Sequence, residues 1–311
     1  MGCGRGCRSV EAMNTVDQFV SPLSVNRAAE RRTVADLEAA DAVVVQSGAV
    51  LALDGRLVEL SADARPASAL TIYVGREGDR DLVAVVPADA AYGTQYDGIG
   101  GERMTGLREF FHDSAPHGAA GQRDSELAAT AVAISTWHAN HPRCAVCGET
   151  TEPVMGGWVR RCDTCERDHY PRTDPAVIVA ITDDEDRLLM AHASYWSPRR
   201  YSHLAGYVEP GESLEQAVHR EVFEEAGLRV RDLEYLGSQP WPFPASVMVS
   251  YRARVEDPTI NVDGDEITDA RFYSRQELAA AVADGTLVLA PVGSIARRMI
   301  EQWYGGEVPE G

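Results

Sequence analysis

The sequence predicts an α+β protein in three parts: an N-terminal α/β domain over 16–140, a small ribbon over 141–172, and a third domain over 173–305 with a mixed β-sheet between helices. Three observations carry this reading. Strand-like and helix-like segments mix without strict alternation, which suggests α+β or a mixed sheet between helices. Two C-x2-C pairs, Cys144/Cys147 and Cys162/Cys165, stand 14 residues apart. A glycine-bearing loop, "GYVEPGE", runs into a helix rich in glutamate. Residues 1–15 are expected to be disordered, with Met13 as a possible natural start, and 306–311 to form a tail.

The 311 residues allow one to three domains and a real core. Hydrophobic residues make up 44%, an ordinary share for a globular chain. No apolar run approaches the roughly 20 residues that span a bilayer. The start "MGCGRGCRSV" fits neither a secretory signal nor the myristoylation pattern. A cytoplasmic protein with no membrane contact is therefore expected. The net charge of −19 argues against broad, sequence-blind nucleic-acid binding but leaves room for a local basic patch. All 29 basic residues are arginine. No lysine base or Schiff base is available, so proton transfer falls to a carboxylate, a histidine or something weaker.

Taken in order, "AVVVQSGAVLAL", "ALTIYVG" and "DLVAVVP" read as short strands broken by Gly, Asp and Pro turns. "LREFFHDS" reads as a helix, as does "DSELAATAVAISTWHANH", with Asp124 or Ser125 as its cap. "DPAVIVAITDDEDRLLMAHAS" reads as strand, acidic turn, strand. "RVRDLEYLGSQPWPFPASVMVSYRARV" reads as strands around a proline-aromatic loop. Two closing helices follow, with Ser274 and Ser294 as caps and Gly285 and Gly305 as stops.

Spacing alone gives the cysteine pairs their chemistry. Two such knuckles bring four thiolates to the corners of a tetrahedron around Zn²⁺, and four thiolates close its coordination shell, so the metal is expected to be structural. The alternatives are two disulfides, which a cytosolic chain disfavours, or four buried thiols. Cys3 and Cys7, in the Gly-rich opening, are expected to be inert.

The glutamate segment divides into loop and helix. Gly206, Pro210 and Gly211 allow a tight turn and close approach to a ligand. Ser213 with Gln216 forms a capping box, and Gly227 ends the helix. Glu221, Glu224 and Glu225 stand at i, i+3 and i+4, so they share one face. Three anions there repel unless a cation sits among them, and such oxygen-rich clusters suit Mg²⁺ or Mn²⁺. A solvated acidic face is the plainer reading, which the capped loop in front weakens.

These residues resemble the Nudix box, GX5EX7REUXEEXGU. Gly206, Glu212 and "REVFEEAGL" fill every defined position, with Val222 and Leu228 as the bulky aliphatics. The resemblance implies a Nudix fold and hydrolysis of a nucleoside diphosphate linked to another group. It implies that Glu221, Glu224 and Glu225 hold the divalent metals and serve catalysis, with Glu225 or Glu224 as general base. It also implies that Glu212 and Arg220 form an ion pair that shapes the loop.

Further on, "SQPWPFPAS" spans Ser238 to Ser246. Its three prolines stiffen the chain and fix Trp241 and Phe243, either to clamp a flat ring or to pack in the core. The segment resembles SQPWPFPXS of the NADH pyrophosphatase branch of Nudix hydrolases, which also carries a four-cysteine ribbon ahead of the box. Many members have Gln where this chain has Ala245, which puts a polar substrate contact in doubt. By this resemblance Gln239, Pro240, Trp241, Pro242, Phe243, Pro244, Ala245 and Ser246 shape the dinucleotide pocket, and Tyr207 stacks on a base. Tyr170 matches a tyrosine that reaches a neighbouring subunit's site in a homodimer. Glu266 and the backbone carbonyl of Ala296 match further positions at the metals. The implied substrates are NADH, NAD⁺ and NAD-capped RNA. Arg160, Arg161, Arg167 and Arg172 around the ribbon either offer RNA a positive approach or only solvate the knuckles and offset an acidic protein. The rival readings are a Nudix hydrolase for ADP-ribose or dinucleoside polyphosphates, and a zinc-ribbon nucleic-acid-binding regulator on an inactive Nudix scaffold.

Overall fold

The computed structural model describes residues 22–95 and 100–309. The expectations for residues 1–15, Cys3 and Cys7 lie outside the described residues.

The N-terminal sheet contains β1 (Asp41–Gln46), β2 (Ala49–Leu53), β3 (Arg56–Leu57), β4 (Glu59–Leu60), β5 (Ser68–Glu77), β6 (Arg80–Pro87) and β7 (Arg103–Gly106). Its main path runs β3-β2-β1-β6-β5, with β1 and β6 parallel. Three helices accompany it: α1 (Tyr92–Gln95), α2 (Leu107–Ser114) and α3 (Gly118–Asn140). Alternation along β1 divides its side chains between faces. Val43 and Val45 pack with Phe110 of α2 and with Leu127, Ala131 and Trp137 of α3. Ala42 and Val44 pack on the other face with Val83, Val85 and Tyr92.

The expected start of α3 at Asp124 or Ser125 is corrected. The helix begins earlier, at Gly118, because Gly121 lets it cross the end of α2 closely; a Cβ there would lie 1.9 Å from the Ser114 carbonyl oxygen. Asp124 is fully buried in mid-helix, accepting from Arg56 Nε at 2.6 Å and from the Leu57 amide at 3.1 Å. It serves as a tie between helix and sheet instead of a cap.

The ribbon sheet is β8 (Glu152–Val154), β9 (Val159–Cys162) and β10 (Arg167–His169), antiparallel throughout. Its β8–β9 turn docks on the edge strand β5. The Tyr73 amide donates to the Gly156 carbonyl at 2.8 Å, and Trp158 Nε1 donates to the Tyr73 carbonyl at 2.7 Å. His138 of α3 completes the joint: Nε2 lies 2.7 Å from the Gly157 carbonyl and Nδ1 lies 2.8 Å from Arg160. Guanidinium only donates, so Nδ1 accepts and Nε2 carries the proton. Burial first, then the neighbouring Arg160 charge, hold this imidazole neutral against the opposing pull of the Gly157 bond.

The third sheet contains β11 (Asp174–Thr182), β12 (Leu188–Ala193), β13 (Leu204–Tyr207), β14 (Val230–Trp241), β15 (Ser246–Val255) and β16 (Ile267–Tyr273). The order is β14-β15-β11-β12-β16, with β13 also paired to β11. The pairing is mixed, since β11 runs parallel to β15 and antiparallel to β13. Helices α4 (Leu214–Ala226), α5 (Arg275–Ala283) and α6 (Ile295–Tyr304) cover both faces. Val177, Val179 and Ile181 of β11 pack under Ala217, Val218 and Val222 of α4. Ile178 and Ala180 point the other way, against Leu278 of α5 and Met299 and Ile300 of α6. This is a mixed sheet between helices, as expected. Among the described residues no helix is long and apolar enough to cross a membrane.

Candidate active site and metal centres

The ribbon brings its four cysteines together. Their sulfur atoms all lie within 4.8 Å of one another, and all four are free thiols. Cys144–Cys165 and Cys147–Cys162 each measure 3.5 Å, and Cys147–Cys165 measures 3.8 Å. A tetrahedral zinc with bonds of about 2.3 Å separates its sulfurs by about 3.8 Å, so the residues fit the ion. The knuckle is set by backbone bonds: Cys144 donates to the Glu149 carbonyl at 2.7 Å and Gly148 donates to Cys144 at 3.0 Å. His169 Nε2 lies 3.2 Å from Cys144 Sγ, the kind of outer contact that orients a ligand.

The second centre is built on α4. Ser213 accepts from the Gln216 amide at 3.2 Å while its own amide donates to Gln216 Oε1 at 2.8 Å, so the capping box fixes the helix start. Gly227, in the left-handed conformation at φ 68°, ends it. Arg220 then joins loop to helix. It meets both oxygens of Glu212, at 2.6 and 2.9 Å, the Tyr207 carbonyl at 2.9 Å, Glu221 at 2.8 Å and Glu224 at 3.1 Å. The guanidinium, aided by the Glu209 amide, pulls the Glu212 carboxyl down to about 2. Gly206 explains its own identity: a Cβ there would fall 2.0 Å from the Glu221 carboxyl carbon. Glu221 thus lies directly over the end of β13.

Glu225 is the group most out of balance. It is 5% exposed, and its Oε2 has no hydrogen-bond partner. Burial, then the charges of Glu221, Glu266 and Asp263, push its carboxyl up to about 8. Glu221 is shifted upward too, again chiefly by burial. A buried carboxylate with an orphaned oxygen among other carboxylates fits a divalent cation. Glu266 is exposed in the turn before β16, where Asp263 holds its amide at 3.1 Å, and its charge reaches both Glu221 and Glu225. Ala296 is buried in the first turn of α6, behind the Ser294 cap.

The hairpin between β14 and β15 divides its residues between two tasks. Gln239 is buried and spent on α6: its amide nitrogen donates to the Gly293 carbonyl at 2.9 Å, and its oxygen accepts from the Ile295 amide at 2.7 Å. It braces the turn that carries Ala296. Ser246 Oγ lies 3.0 Å from the hydroxyl of the half-exposed Tyr207. Trp241 and Phe243, joined edge-to-face at 4.9 Å, turn toward the N-terminal sheet. Trp241 lies 6.5 Å from Phe111, and the Arg108 guanidinium sits 4.4 Å above Phe243. Both rings are half-buried and pack against α2. Pro242 is buried, Pro244 follows a cis bond, and Pro240, Pro242, Ala245 and Ser246 line a cavity of about 600 Å³ with Tyr170, Trp158 and Arg172.

Of the four arginines expected to offer RNA an approach, Arg160 is buried, while Arg161, Arg167 and Arg172 are exposed. Arg160 is buried against His138 and Thr151, Arg161 pairs with Asp168 at 2.8 Å, and Arg172 pairs with Asp174 at 2.6 Å. Charge count alone does not distinguish a partnered arginine from a free one. Two further groups carried no signal in the sequence. His203 is buried beside the Ala296 backbone with neither ring nitrogen in a well-formed hydrogen bond, and burial pushes it down to about 4. Tyr195 stands exposed beside the carboxylates.

Residues 172–291 match the family model for the NUDIX domain, and 139–170 match the NADH pyrophosphatase zinc ribbon domain. The chain is 37% identical over 286 residues to the "NAD-capped RNA hydrolase NudC" of Mycobacterium bovis, covering 85% of this chain and 83% of that one. It is 39% identical over 178 residues to the protein of the same name from Shigella flexneri, covering 57% and 65%. A NUDIX hydrolase structure from Nitrosomonas europaea aligns over 53% of this chain and 94% of its own, at 23% identity and TM-score 0.41.

Proposed function

The chain belongs to the zinc-ribbon-bearing NADH pyrophosphatase branch of the Nudix hydrolases, and from that premise we propose that it hydrolyses the pyrophosphate of NAD(H) to nicotinamide mononucleotide and AMP and removes NAD caps from RNA. The observation that carries the chemistry is Glu225, buried with an orphaned oxygen beside Glu221 and within the field of Glu266. The names of the relatives support the substrate class.

Glu221, Glu224, Glu225, Glu266 and the Ala296 carbonyl would hold Mg²⁺ or Mn²⁺. Such ions neutralise pyrophosphate oxygens and lower the pKa of bound water. The chain's own groups do the rest. Arg220 holds Glu212, Glu221 and the Tyr207 carbonyl in one frame, so the loop and helix keep a fixed spacing. Glu224, the most exposed of the three box glutamates, takes the proton from the attacking water. Tyr207, steadied by Ser246, stacks on one base of the dinucleotide. Gln239 keeps the Ala296 turn in place. The Zn²⁺ of the ribbon is structural.

The enzyme acts in the cytoplasm as a homodimer, with the exposed Tyr170 of each subunit reaching the other's site. The test is incubation of purified protein with NADH and Mg²⁺ or Mn²⁺, with products identified by mass beside a Glu224→Gln control. Reduced nicotinamide mononucleotide and AMP, absent in the control, are expected. Turnover of ADP-ribose without any of NADH or NAD⁺ would overturn the substrate assignment.

A further inference from the structure

A dinucleotide has two bases, and the site described so far holds one. A pyrophosphate centred on the α4 carboxylates sends the two mononucleotides to opposite flanks. Strand order defines those flanks about β13, whose Gly206 lies under Glu221: β11 and then β15 lie on one side of it, and β12, bridged through Ala191 and Ser202, and then β16 lie on the other. Tyr207 is tied to Ser246, the first residue of β15. Across the site, the Ser194 amide donates to the Glu266 carbonyl at 2.9 Å, just ahead of β16. That bond fixes the start of the β12–β13 connection beside the carboxylates, and Tyr195 is the next residue.

Tyr195 is 71% exposed, among the most open of the large hydrophobic side chains described. Single exposed aromatics are common and need no explanation. This one differs in being anchored at the site. Its ring stands edge-on to Trp196, 5.8 Å away at 77°. Trp196 is itself packed against the core under α4. The Arg200 guanidinium lies 5.3 Å from the Trp196 ring. Its buried Nε has no hydrogen-bond partner, and no ion pair engages it among the described residues. The charges of Glu266 and Glu225 both reach the Tyr195 hydroxyl. The result is an open aromatic face on a rigid base, with a cation beside it, on the flank opposite Tyr207. Base stacking on such a face tolerates any base, because every base has a π-face.

We propose that Tyr195, braced by Trp196 and flanked by Arg200, is the stacking platform for the second base of the substrate, on the far side of the pyrophosphate from the base held at Tyr207. In a capped RNA this flank is one of the two along which the chain leaves the site.

The inference rests on the proposed dinucleotide reaction, so its test reads binding and leaves turnover aside. Binding of AMP and of nicotinamide mononucleotide is measured by equilibrium titration for wild type, Tyr195→Ala, Tyr195→Phe and Tyr207→Ala, with circular dichroism to verify folding. Tyr195→Ala is expected to weaken one mononucleotide about tenfold and leave the other within about twofold. Tyr207→Ala should weaken the other one, and Tyr195→Phe should bind both as wild type does. Unchanged binding of both in Tyr195→Ala, equal loss of both, or a Tyr195→Phe loss as large as the alanine's overturns the platform. Failure of the wild type to cleave NADH overturns the proposed reaction and is read separately.

Discussion

In the ribbon, four sulfur atoms gather within 4.8 Å; on α4, the carboxylates that face one another do not converge so closely, and the cysteines are the only such set among the described residues. The difference is physical. Backbone bonds at Cys144 and Gly148 set the knuckle that gathers the sulfurs. Carboxylates repel, so Glu221 and Glu224 turn to Arg220 while Glu225 is left buried and unpaired. One centre is closed and complete from its own residues. The other is open, destabilised by its own charge, and suited to a cation that also binds substrate.

Removing one member of the open set tests that contrast most severely. Glu225→Gln should lower NADH hydrolysis about a hundredfold or more if Glu225 is the metal ligand proposed above, because that loss removes several kcal/mol of charge stabilisation. The same change should raise the melting temperature of the metal-free protein, since a buried unpaired carboxylate is gone. Cys162→Ser should do the opposite at the closed centre. Zinc content should fall, and melting should drop by several degrees or more, since metal binding there is folding energy. The loss should extend to the N-terminal sheet, through the Gly156–Tyr73 and His138–Gly157 bonds that seat the ribbon on it.

Gly206→Ala sharpens the geometry of the open site. Its Cβ would fall on Glu221, so the hydrolysis rate should fall by about tenfold or more while zinc content stays unchanged. The smallest effect is on pH dependence. Glu225 has a folded value near 8, above an ordinary carboxyl. Between about 4.5 and 8 the folded chain therefore binds more protons than the unfolded one, and stability contributed by this group falls as pH rises through that window. Thermal melts of metal-free protein should show this decline, and Mg²⁺ should restore more stability at pH 8 than at pH 5.

Much of this was legible from local sequence. The Ser213 capping box, the Ser274 and Ser294 caps, the Gly227 and Gly305 stops and the cysteine knuckles are contacts within a few residues, and all are present. What was not legible depends on distant partners. Asp124 looks like a cap until Arg56 and the Leu57 amide claim it, 68 and 67 residues away. The bracing contact of Gln239 is of the same kind, since its amide is engaged by Gly293 and Ile295, 54 and 56 residues away. Arg160 looks like surface charge, yet it is the buried partner of His138. Tyr195 lies in a segment with no motif, and only the fold brings it to Glu266.

The central claim is that the two centres divide the work, zinc holding the fold and α4 holding the metals that act on pyrophosphate. Dialysis against a mild chelator, followed by metal analysis and NADH hydrolysis on the same samples, tests it directly. About one zinc per chain should survive dialysis while activity disappears, and Mg²⁺ or Mn²⁺ should restore activity in wild type but not in Glu224→Gln. Activity that follows the zinc content, or persists without Mg²⁺ or Mn²⁺, would contradict the account.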